Sequence, residues 1–164
     1  MKRKIYKQLL DWKEKRNGEV ALLIEGARRI GKSYIVEEFG KNEYESYILI
    51  DFNKAPQMVR DWFDLYLEDL DMLFLYLSQH YKVRLHERKS LIILDEVQLC
   101  PRARAAIKFL VKDGRYDYIE TGSLVSIKKN TQGIVLPSEE RPIQMYPMDF
   151  EEFLWATGND MLMD

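Results

Sequence analysis

The sequence predicts an α/β fold in which a mainly parallel sheet is covered by helices on both faces. Three observations lead there. The short apolar runs Val20-Ala21-Leu22-Leu23-Ile24 and Leu91-Ile92-Ile93-Leu94 lack the polar alternation of a half-solvated strand, as expected of strands buried on both sides. Between such runs, apolar residues fall at helical spacing, most clearly Leu70, Leu73, Phe74 and Leu77. The two kinds of segment alternate along the chain, the order that builds parallel sheets through helical crossovers.

A first helix carries Ile5, Leu9 and Trp12 on one face and closes at Asn17-Gly18. Residues 20–24 form the first strand. A second helix follows with Ile35, Val36 and Phe39, and Gly40 is expected to stop it. Residues 47–52 read as the second strand. The Leu70 stripe makes a helix to about Tyr81, a packing face and not a membrane or partner surface. Residues 91–94 are the third strand. Pro101 opens a helix with Ala103, Ala106, Ile107 and Leu110 inward. Residues 116–123 give a further strand and residues 143–145 the last, and Phe150, Phe153 and Leu154 begin a final helix.

Composition narrows the function class. The 164 residues suit one domain, and 46% apolar with 32% charged residues is the balance of a folded, soluble chain. Cys100 is the only cysteine, so no internal disulfide forms and a reducing, cytoplasmic setting is expected. No apolar run approaches the ~20 residues that span a bilayer, so no membrane partner is expected. A formal charge of −2 argues against broad electrostatic attraction to nucleic acid. The basic clusters at 2–4 and 102–108 are read as solvated helix faces.

Gly26-Ala27-Arg28-Arg29-Ile30-Gly31-Lys32-Ser33 fits the phosphate-binding loop pattern G-x-x-x-x-G-K-[ST] in full. Gly26 and Gly31 let the backbone curl until successive N–H groups face phosphate oxygens. Lys32 reaches the β- and γ-phosphates, Ser33 is a Mg²⁺ ligand, and the helix that starts here adds its positive end. Ala27, Arg28, Arg29, Ile30 and Tyr34 complete the expected nucleotide-lining set. A chance match in a Gly-containing loop would not bring strand, loop and helix in this order.

Leu91 to Leu94 end in Asp95-Glu96, an acidic pair at the strand tip where ligands of parallel sheets bind. Asp95 would hold Mg²⁺ through its water shell. Glu96 would be the base that orients the attacking water. Solvated acidic turns end many strands, but together with the loop the pair points to hydrolysis. The only guanine-like string, Asn53-Lys54-Ala55-Pro56, has Pro where Asp is needed, which favours ATP. Thr121-Gly122-Ser123 ends the next strand, where either hydroxyl can stand beside the γ-phosphate. The same tripeptide also serves as a turn or cap.

These strings, together with Pro137-Ser138-Glu139-Glu140 and the run from Met145 to Trp155, resemble the prokaryotic AAA-superfamily ATPases that carry an uncharacterised C-terminal domain. The resemblance runs from Arg3 to Gly158, and its most specific part is the run from Met145 to Ala156. It implies a P-loop NTPase three-layer sandwich with a five-stranded sheet in the order 5-1-4-3-2 and an ATP/Mg²⁺ site. It implies a sensor hydroxyl at Thr121 or Ser123, and base contacts from Arg3, Ile5 and Tyr6. Relatives often carry a Gly-Arg pair where this chain has Ser138-Glu139, leaving Arg141 and Arg102 as candidate arginine fingers. The family's helical lid has no counterpart in residues 159–164, so residues 1–164 are expected to be the ATPase core of a longer protein, weak in hydrolysis alone.

Two functions follow from this reading. One is an ATPase that drives conformational change with a C-terminal domain, a second copy, a partner protein or DNA. The other is a switch that binds ATP or ADP with negligible turnover. Glu96 favours the first.

Overall fold

The computed structural model describes residues 3–27, 29–123, 139–148 and 150–157. Helix α1 spans Ile5–Arg16 and ends where Asn17 turns left-handed at φ 44°. Strand β1 (Ala21–Glu25) leads through the glycine-containing loop into α2 (Lys32–Glu43). Strand β2 (Ser46–Asp51) is followed by α3 (Gln57–Leu65) and α4 (Leu70–Tyr81). Strand β3 (Ser90–Asp95) runs into a short 3₁₀ turn, Val97–Leu99, and α5 (Pro101–Asp113). Strand β4 (Asp117–Gly122), edge strand β5 (Glu140–Gln144) and α6 (Phe150–Ala156) complete the described chain.

The strands form one sheet in the order β2-β3-β4-β1-β5, and every pairing is parallel. Read from the other edge this is 5-1-4-3-2, the order the family resemblance implies. Strand alternation sorts the core into two layers. Leu22, Ile24, Leu91, Ile93 and Ile119 pack with Ile5, Leu9 and Trp12 of α1 and Ile35, Val36 and Phe39 of α2. On the opposite face, Leu23, Ile50, Ile92, Leu94 and Tyr118 meet α3, α4 and α5. Each residue of β3 and β4 is buried; in β3 this shows as the unbroken apolar run from Leu91 to Leu94, whereas β4 also buries Asp117, Glu120 and Thr121.

Three local expectations change. Gly40 does not stop α2, which continues to Glu43; a Cβ at Gly40 would sit 3.0 Å from the Tyr47 ring, so the glycine admits β2 against the helix. Helix α3 was not expected, although Val59, Trp62 and Phe63 are buried at helical spacing. Strand β5 begins three residues earlier than its apolar residues suggest, at Glu140. Among the described residues it pairs only with β1, and an edge tolerates its charged residues and Pro142.

One buried carboxyl gives the fold a pH dependence. Glu120 of β4 is fully buried, and no donor among the described residues reaches either oxygen. Burial first, and then the neighbouring Glu140, push it well above the usual carboxylate range, while Arg104 opposes them. Arg104 holds Glu140 at 2.7 Å. A carboxyl raised in the folded state keeps its proton where the unfolded chain has lost it. Its contribution to stability is therefore intact below the ordinary Glu value of 4.5 and declines as pH rises above it. Glu120→Gln, a neutral isostere, is expected to raise Tm at pH 8 and to lose that advantage near pH 4. A Tm gap independent of pH would show that folding does not raise the Glu120 carboxyl above its ordinary range.

Candidate functional site

The C-terminal tips of β1, β3 and β4 converge on the loop between β1 and α2. Gly26 donates its N–H to the Gly122 carbonyl at 3.2 Å, and a Cβ there would lie 2.5 Å from the Met145 carbonyl oxygen. No other residue fits without moving the backbone. Gly31, at φ 94°, is the left-handed step from which α2 starts, and Arg29 takes a second left-handed turn at φ 63°. Ala27, Arg29 and Tyr34 are exposed and Ile30 half-buried; Arg28 lies outside the described residues.

Lys32 is buried, and its ammonium donates to the Gly26 carbonyl at 2.9 Å and the Ala27 carbonyl at 2.7 Å. Ser33 donates its hydroxyl to Asp95 Oδ1 at 2.7 Å, and Thr121 donates to the same oxygen at 2.6 Å. Thr121 Oγ1 also accepts the Glu96 N–H at 3.0 Å. One hydroxyl thus fixes both members of the acidic pair. Burial raises Asp95 from its ordinary value, and the Thr121 and Ser33 hydrogen bonds work against that rise.

Glu96 leaves the strand in a left-handed conformation (φ 56°, ψ 53°), costly for a non-glycine residue and common where function demands it. Gln98, buried in the 3₁₀ turn, donates its amide to Glu96 Oε2 at 2.5 Å. Ser123 is buried just past the end of β4. The structure therefore brings Lys32, Ser33, Asp95, Glu96 and Thr121 together. Gln98 was missed; its place two residues after Glu96 was the available signal.

The Ser33 hydroxyl and Asp95 carboxylate form a hard oxygen pair suited to Mg²⁺, which takes few protein ligands and keeps several waters. Among the described residues no cluster of three or more His, Cys, Asp or Glu could hold a metal alone. Arg3 and Tyr6 line a cavity of about 610 Å³ together with Ile35 and Trp155, whereas Ile5 is buried in the core. Arg102 is engaged with Asp64, and Arg141 lies opposite Leu22, early in β1. No helix among the described residues is long and apolar enough to cross a membrane.

A family model described as an AAA domain matches residues 19–154. An uncharacterized protein of Methanocaldococcus jannaschii, MJ1637, is 26% identical over 158 residues, which is 94% of this chain. The structure of C. elegans PCH-2 aligns over 97% of the chain with 11% identity and a TM-score of 0.40. The chain spans 32% of the Methanocaldococcus protein and 43% of the PCH-2 chain.

Proposed function

The chain belongs to the AAA domain family, whose members bind nucleotide, and from that premise we propose that it binds Mg-ATP and hydrolyses it to drive conformational change in a longer protein or complex. The observation that carries this reading is the meeting of Ser33 and Thr121 on one oxygen of Asp95 at the foot of a phosphate-binding loop. Three separate segments position that arrangement, and a solvated acidic turn would not need it.

In this reading the N–H groups of the loop and the positive end of α2 receive the phosphates. Lys32 exchanges the loop carbonyls for β- and γ-phosphate oxygens. Ser33 and Asp95 hold Mg²⁺, which when bound neutralises charge developing on the transferred phosphoryl group. Glu96 orients the attacking water and takes its proton. Thr121 is committed to Asp95 and Glu96, so it acts as their strut and Ser123 serves as the γ-phosphate sensor.

Neither Arg102 nor Arg141 is held toward the acidic pair, so the cation that speeds phosphoryl transfer comes from elsewhere: a C-terminal region, a second copy, or a protein or DNA partner. The 164 residues alone are expected to release phosphate slowly, and a longer chain at least tenfold faster, on the scale of arginine-finger effects. A steady-state phosphate-release assay over a range of protein concentrations tests this. Brisk turnover by the 164 residues, independent of concentration, would show the core to be complete. A longer chain that binds ATP without turnover would favour the switch.

A further inference from the structure

Arg3 connects segments that are far apart in sequence. All three of its guanidinium nitrogens donate, and each goes to a different partner. Nε meets Glu152 Oε2 of α6 at 3.2 Å, Nη1 the Ile30 carbonyl of the phosphate loop at 2.9 Å, and Nη2 the Tyr146 carbonyl beyond β5 at 2.9 Å. The Arg3 side chain is only 3% exposed and that of Glu152 7%, so this is not a solvated surface pair. The Lys4 N–H adds a bond to Glu152 Oε2 at 2.7 Å. A planar fork suits three divergent acceptors; a lysine ammonium does not.

The Ile30 carbonyl is the informative partner. It belongs to the peptide that carries the Gly31 N–H, and in a trans peptide the C=O and N–H point in opposite directions. Holding that carbonyl toward Arg3 therefore aims the Gly31 N–H away from Arg3. Nη1 lies 3.2 Å from where a Gly31 Cβ would stand, so the guanidinium is pressed against this peptide.

Resting on the nucleotide-binding reading above, we propose that Arg3 is a positioning residue. It orients the Gly31 N–H for phosphate and ties the loop to α6 through Glu152, so that nucleotide occupancy and α6 placement are coupled.

The test uses Mg-ATP and protein labelled with 5-fluorotryptophan. Trp155 lies on α6 and lines the same cavity as Arg3, and its ¹⁹F resonance is assigned with Trp155→Phe. In the unsubstituted chain Mg-ATP should shift both the Gly31 amide and the Trp155 fluorine signal. Arg3→Lys should bind Mg-ATP roughly tenfold more weakly, and at saturation should shift Gly31 but not Trp155. Glu152→Ala removes the acceptor of the Arg3 Nε and Lys4 N–H bonds, keeps both Arg3 carbonyl bonds and should lose only the Trp155 response, with affinity changed by about threefold or less; it decides the matter if Arg3→Lys does not fold. A Trp155 signal silent in the unsubstituted chain, or shifted equally in Glu152→Ala, overturns the coupling. Absence of Mg-ATP binding by calorimetry in the unsubstituted chain would instead defeat the nucleotide reading itself.

Discussion

Glu96→Gln is expected to bind Mg-ATP as the unsubstituted chain does while hydrolysing it ~10²–10⁴-fold more slowly. The amide matches the carboxylate in size, and the backbone that places it is held independently by Thr121 Oγ1. What is lost is the capacity to accept a proton from water. Single-turnover phosphate release, with nucleotide saturating, separates this from an affinity defect. Asp95→Asn should behave differently, weakening the Mg²⁺ dependence of binding because it alters the oxygen to which Ser33 and Thr121 both donate. Hydrolysis by Glu96→Gln at the unsubstituted rate would mean that the base lies elsewhere.

Lys32→Ala should lower ATP affinity by at least tenfold, roughly 1.4 kcal/mol. The phosphates then lose their principal charged side-chain partner, and a charge-assisted bond of this kind is among the stronger hydrogen bonds a protein makes. Removing the ammonium also frees the Gly26 and Ala27 carbonyls it now holds, so the loop loses an internal tie. Thermal melting of both proteins checks that the fold survives. Equal affinity in two folded proteins would remove this loop from the site.

Much of this was legible from sequence because it is local. The loop pattern, the apolar strand before it and the acidic pair at the tip of β3 each lie within a few consecutive residues. Strand burial on both faces writes itself as unbroken apolar runs, as in Leu91 to Leu94. What stayed hidden depends on partners distant in the chain. Arg3 sits in a basic N-terminus with no pattern of its own, and its role appears only when Ile30, Tyr146 and Glu152 surround it. That Thr121 holds both acidic residues shows only in space, because its partners Glu96 and Asp95 are 25 and 26 residues away in sequence. Gly40 read as a stop because glycine weakens helices, yet the close approach of Tyr47 gives it a packing reason to lie inside one.

Mg-ATP is expected to bind on the loop from Gly26 to Ser33. The most direct measurement is a titration of Mg-ATP into the ¹⁵N-labelled chain, with amide shifts read residue by residue and the stoichiometry taken from calorimetry. One site is expected, tighter with Mg²⁺ than without, and the largest shifts should fall on Gly31, Lys32 and Ser33. No binding, or binding that leaves those amides unmoved, would mean that this loop does not hold the nucleotide.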